Sequence, residues 1–178
     1  MINKKDLYLG DSLINSSDLN IEGKEVVINN ENFYKITNVN KMRPCFMSIV
    51  SAYDHWLFIS STGALSAGRK NSNNALFPYY TDDKISESHD VTGSKSIFHV
   101  NKNNKEYLWE PFTKTSDFIY QNERNLYKNL RGNKVIFEEI NNDLGLKFSY
   151  QWTTCDKYGF IKTSSIKNLN NEDISITL

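Results

Sequence analysis

Asp82 and Asp83 form an adjacent carboxylate pair, and adjacent carboxylates invite comparison with glycoside cleavage. That reaction uses two carboxyl groups placed across a sugar, about 5 to 9 Å apart. Sequence neighbours on a strand point to opposite faces and do not converge in this way. The pair therefore reads either as a solvated turn or as a contact to sugar hydroxyls. Phe77-Pro78-Tyr79-Tyr80 stands beside it. Sugar sites combine aromatic faces, for the C–H surface of a ring, with carboxylates and amides for its hydroxyls. Tyr79 and Tyr80 are candidates for that role, against the alternative of a loop pinning itself to the domain with its aromatics. Arg69 and Lys70 follow Gly68. Either cation suits a phosphate or a carboxylate, and the bland reading is a surface charge pair.

Other chemistries find little support. His55, His89 and His99 are scattered without metal-ligand spacing, so no metal site is expected. Serines are plentiful, but no GxSxG elbow accompanies them. Cys45 and Cys155 lie far apart in strand-like runs and read as small buried hydrophobes rather than a disulfide or a nucleophile. Trp56, Trp109 and Trp152 also fall in strand-like runs, where packing is the default. A Trp lying on an exposed face would instead mark a sugar platform. No catalytic residue and no cofactor is expected of this chain.

The elements that must position these residues are strands. Glu25–Ile28 and Phe33–Thr37 flank an Asn-rich turn, as Cys45–Val50 and His55–Ser60 flank Ser51-Ala52-Tyr53-Asp54. Ser96–Val100 and Glu106–Trp109 flank an Asn/Lys turn. Leu146, Phe148, Tyr150 and Trp152 alternate with polar residues, which predicts a half-buried antiparallel strand between Lys134–Ile140 and Tyr158–Ile166. Asp117–Leu130 fits neither the strand nor the helix period. Short strands with turns every few residues predict an all-β antiparallel sandwich. Residues 1–23 read as a polar leader with one short strand, and 24–178 as one domain. Ser175-Ile176-Thr177-Leu178 starts a further strand at the chain's end, from which a sandwich incomplete at its carboxyl end is expected.

At 178 residues the chain can bury a core without disulfides. Ten Tyr and ten Phe favour strands. Lys plus Arg and Asp plus Glu balance at 21 each, with the signs interspersed. Without a concentrated basic face, nucleic acid and an anionic membrane surface are unlikely partners. No apolar signal-peptide core follows Met1, so a cytoplasmic location is expected.

Arg43–Pro111 resembles the amino-terminal domain of the cellobiose and chitobiose phosphorylase family, which includes cyclic glucan synthases. The matching pieces are Pro44, Trp56 through Gly63, Ser66-Ala67-Gly68-Arg69, a loop over Asn71–Lys84, and Leu108-Trp109-Glu110-Pro111. Leu146–Leu178 looks like a later strand series of the same domain. The turn at Thr62-Gly63-Ala64-Leu65 is poorer in Gly than the family's. The resemblance implies a β-supersandwich similar to galactose mutarotase, followed in such proteins by a helical barrel that carries the catalytic acid. It implies that this chain is non-catalytic and serves assembly and part of a sugar site. Arg69, Lys70, Tyr79, Tyr80, Asp82 and Asp83 would be the carbohydrate contacts. The implied partners are an oligosaccharide, the rest of a parent chain, and a second copy through exposed strand edges. The alternative is a stand-alone, lectin-like sugar-binding sandwich.

Overall fold

The computed structural model describes residues 7–9, 12–14, 21–76, 84–85, 92–93 and 95–178. Asparagine pairs open the architecture. Asn29-Asn30 and Asn103-Asn104 all adopt positive φ, between 50° and 62°. Two such residues in succession make the hairpin turn whose twist matches paired strands, and Asn tolerates that conformation better than other side chains. The first turn joins β3 (Gly23–Ile28) to β4 (Glu31–Thr37), and the second joins β8 (Phe98–Lys102) to β9 (Lys105–Trp109). Within the leader, β1 (Leu7–Leu9) pairs with β2 (Ser12–Ile14).

β5 (Phe46–Ile49), β6 (His55–Ser60) and β7 (Leu65–Arg69) form a three-stranded antiparallel sheet. A short helix, α1 (Lys114–Ile119), leads into β10 (Asn122–Asn129). Then come β11 (Lys134–Asn141), β12 (Leu146–Cys155), β13 (Gly159–Asn168) and β14 (Ser175–Thr177). The long sheet runs β13-β12-β11-β10-β4-β3, and a second three-stranded sheet runs β14-β8-β9. All pairings are antiparallel.

Period-two alternation builds the core. Leu146, Phe148 and Tyr150 of β12 face inward beside Val135 and Phe137 of β11 and Leu126 of β10. Leu57, Ile59, Leu65 and Ala67 meet them from one short sheet, and Phe98, Val100 and Trp109 from the other. The protein is an all-β antiparallel sandwich, one long sheet facing two short ones, as the alternation predicts.

The segment of mixed period, 117–130, splits into the end of α1 and the whole of β10. β10 is central, paired with both β4 and β11, yet it carries buried Arg124, Asn125 and Asn129. Arg124 sits on the core-facing side because Glu139, fully buried on β11, receives its Nε at 2.6 Å. Glu139 also accepts from Trp109 Nε1 at 2.9 Å and from the Phe112 amide at 2.6 Å. Arg124 reaches onward to Asp117 at 2.8 Å and to the Thr113 carbonyl at 2.7 Å. One ion cluster thus ties β9, α1, β10 and β11 together. It also holds Phe112 at φ 66°, a conformation a bulky residue rarely takes, with its ring edge-on to Phe137 and Tyr150.

Glu138, the residue before Glu139, points to the opposite face. Its carboxylate accepts from Tyr127 Oη at 2.8 Å and Asn125 Nδ2 at 3.0 Å, with Lys147 Nζ at 3.1 Å. Burial pushes this carboxyl up, but the three partners outweigh burial and hold it below its ordinary value. A carboxyl depressed in the folded state stabilises the fold above the ordinary carboxylate range, and that contribution disappears as pH falls through the depressed value. Urea unfolding at pH 7 and pH 3 tests this. The loss of stability on acidification should be smaller in Glu138→Gln than in the wild type.

Candidate functional site

A cleft of ≈ 420 Å³ opens at one end of the sandwich, between the β6–β7 edge and the β12–β13 hairpin. Strand register explains who lines it. His55 pairs with Arg69 and Leu57 with Ala67, so these four side chains share the inward face of the short sheet. Deeper in, Leu57 and Ala67 are core; at the rim, His55 and Arg69 are not. Opposite them, Trp152 continues the inward series of β12 past the point where the sheets close. Tyr158 and Phe160 complete the wall, and Leu76 closes the side. Leu76 is held there by its amide, which donates to the Ala67 carbonyl at 2.8 Å.

The hairpin turn approaches His55 closely. Gly159 has φ +81°, and a Cβ there would stand 3.0 Å from His55 Cδ2 and Nε2. Phe160 meets the imidazole edge-on, with ring centroids 5.9 Å apart. Gly159→Ala should therefore cost about 1–2 kcal/mol from the left-handed backbone and the crowded ring together. Thermal unfolding checks this, and a neutral result would mean the hairpin is not seated on His55.

The polar groups of the cleft are few. Arg69 is exposed, and among the described residues no carboxylate pairs with its guanidinium. His55 Nδ1 is buried and has no hydrogen-bond partner. Tyr158 is 69% exposed, so its ring presents a face to solvent at the cleft mouth. Lys157 Nζ lies 5.1 Å from the Tyr158 ring centroid, and Lys162 Nζ lies 4.6 Å from that of Tyr150. Burial pulls the Lys162 ammonium below its ordinary value.

The candidates from sequence divide as follows. Arg69 lines the cleft, as the last residue of β7. Lys70 does not: it turns at φ 65° and its amide donates to the Asp54 carbonyl at 2.6 Å. Tyr79, Tyr80, Asp82 and Asp83 lie outside the described residues. Of the three tryptophans only Trp109 is fully buried; Trp56 and Trp152 are half-buried. Trp56 lies over Gly68, in a stack with Phe58 at 5.6 Å between centroids. His55, Tyr158 and Phe160 were not singled out as site residues by sequence. Their one signal is position: the first residue of a strand, and a turn beside the last inward aromatic of the strand before it.

The remaining clusters have structural tasks. Glu139 and Asp117 are both engaged by Arg124, which leaves no free acid facing a free base there. An apolar cavity of ≈ 300 Å³, with Met42, Pro44, Phe112 and Phe137 in its wall, adjoins that cluster. Ser60-Ser61-Thr62-Gly63 forms the β6–β7 turn: Gly63 takes φ +92°, and Ser61 exchanges hydrogen bonds with the Cys45 backbone at 2.8 and 3.0 Å. Among the described residues no group of His, Cys, Asp and Glu is arranged to hold a metal ion. No helix among them is long and apolar enough to cross a membrane. No known protein family matches the chain. No curated protein matches it significantly either.

Proposed function

We propose that this chain is a non-catalytic carbohydrate-binding β-sandwich, with its sugar site in the cleft of His55, Arg69, Trp152 and Tyr158. A single observation carries the reading: an exposed tyrosine ring and a half-buried tryptophan border the same cleft as an unpaired guanidinium. Aromatic rings supply apolar faces for the C–H surface of a pyranose, and the guanidinium supplies fixed donors for its oxygens. Concavity with a mostly apolar wall and a few polar groups is the usual form of a small-ligand site. The cleft lies at the sandwich rim, held by two hairpins and one packed loop, so it is built largely before a ligand arrives.

The module reading fits two settings. In one, the chain is the accessory domain of a larger glycoside-phosphorylase-like protein and contributes to assembly and to part of its sugar site. In the other, it is a lectin-like binder in its own right.

Saturation-transfer NMR against glucose- and N-acetylglucosamine-based oligosaccharides tests the reading. Transfer to the sugar is expected with the wild type and should be lost in Tyr158→Ala, whose exposed side chain makes little contribution to folding. Transfer that persists unchanged in Tyr158→Ala would place any sugar site elsewhere.

A further inference from the structure

We infer that the sugar taken by this cleft is acidic, carrying a carboxylate or a phosphate that Arg69 receives. This rests on the carbohydrate reading above and narrows its substrate class. The observation is an imbalance between donors and acceptors. A neutral sugar presents hydroxyl protons, and binding sites meet them with carboxylates, amide oxygens or backbone carbonyls. No Asp, Glu, Asn or Gln lines this cleft among the described residues. Its one charged lining group is Arg69, a donor with no acceptor capacity, and its other polar side chains are the His55 imidazole and the Tyr158 hydroxyl, neither of them a strong acceptor like a carboxylate.

Two further cations stand nearby. Lys157 lies against the ring of Tyr158, and Lys162 stands opposite Trp152 in the β12–β13 register. The chain as a whole balances 21 basic against 21 acidic residues, whereas the flanks of this cleft set Arg69, Lys157 and Lys162 against Asp54 and Asp156, and the one charge in its described lining is that of Arg69. Four acids are paired elsewhere, Glu138 on the outer face, Glu139 and Asp117 around Arg124, and Glu31 with Lys134, while Asp54 before β6 and Asp156 in the β12–β13 turn stand near the cleft without lining it. An unpaired guanidinium at the edge of an aromatic wall matches a carboxylate or phosphate oxygen pair in a bidentate fork. The ring that bears the anion would then rest against Tyr158 and Trp152.

Isothermal titration of the full chain separates the possibilities, using glucuronate, galacturonate oligomers, glucose 6-phosphate, glucose oligomers and plain acetate. Acidic sugars should bind about tenfold or more tightly than their neutral counterparts, the worth of one charge-assisted contact. Arg69→Gln should reduce that preference to about twofold or less. Arg69→Lys should retain part of it, because a point charge keeps the attraction and loses the fork. Glucuronate against glucose 6-phosphate decides which anion is meant. Equal binding of neutral and acidic sugars, or a preference untouched by Arg69→Gln, would overturn the acidic class and leave the carbohydrate reading standing. Acetate binding as tightly as glucuronate would show an anion site without a sugar site. Failure of every sugar would overturn both readings.

Discussion

Glu139→Ala should destabilise the protein by about 3–5 kcal/mol, with the urea midpoint falling accordingly. Removing one partner of a buried ion pair leaves the other charge without compensation, and losses of about that size follow. Here Arg124, on the core-facing side of a central strand and almost fully buried, would lose its buried partner and keep only the partly exposed Asp117. The same change deprives Trp109 Nε1 and the Phe112 amide of their acceptor, and the left-handed backbone at Phe112 of the contact that holds it. A domain of this kind is stable by only about 5–15 kcal/mol in total, so the variant should be partly unfolded at physiological temperature. Replacing both ions, as Arg124→Met with Glu139→Leu, should recover only the part of the loss due to the uncompensated Arg124, because Trp109 Nε1 and the Phe112 amide stay without their acceptor. A mild effect of Glu139→Ala would mean that water reaches the cluster.

Phe148→Ala should cost about as much, roughly 3–5 kcal/mol, through a different mechanism. Phe148 is where the long sheet meets a short one. Its ring is 5.1 Å from Phe98 and 6.1 Å from Phe112, measured between centroids. Truncation removes apolar surface and leaves a cavity that the surrounding strands cannot collapse into, because their register is fixed by hydrogen bonds on both sides. Phe148 pairs directly with Glu139 across β11 and β12. The two changes should therefore not add, and a double-mutant cycle in urea measures the coupling.

The sandwich was legible where the side chains alternate and the turns are punctuated by Asn. β3, β4, β6, β8 and β12 fall close to their expected positions, and β12 shows the reason best, with Leu146, Phe148 and Tyr150 inward and Lys147, Ser149 and Gln151 outward. β10 was not legible: its pattern is broken by Arg124, Asn125 and Asn129, which are buried with partners supplied by Glu139, Glu138 and Glu31. A residue whose burial depends on a partner far away in sequence leaves no periodic trace. β7 was not read as a strand, because its small residues, Ser66-Ala67-Gly68, give little alternation of apolar and polar side chains. Glu138-Glu139 is an adjacent acid pair in the middle of a strand, and the two side chains part to opposite faces as strand geometry requires.

The site was legible only in part. Arg69 was found through a motif, while His55, Trp152 and Tyr158 come to it from strands β6 and β12 and from the turn before β13, about 14 to 90 residues away along the chain. Trp152 looked like the fourth member of a core stripe. It lines the cleft because β12 outruns the sheet that covers it, and sequence alone does not tell where the facing sheet stops.

The most direct test of a sugar site in this cleft is a chemical-shift map of the isotope-labelled chain titrated with glucuronate and with a glucose oligomer. A sugar seated there should shift the His55 ring, Arg69 Nε, the Trp152 indole and the amides of Tyr158 to Phe160, with Trp109 unmoved. Shifts scattered over the surface, or clustered away from the β6–β7 and β12–β13 ends, would contradict it.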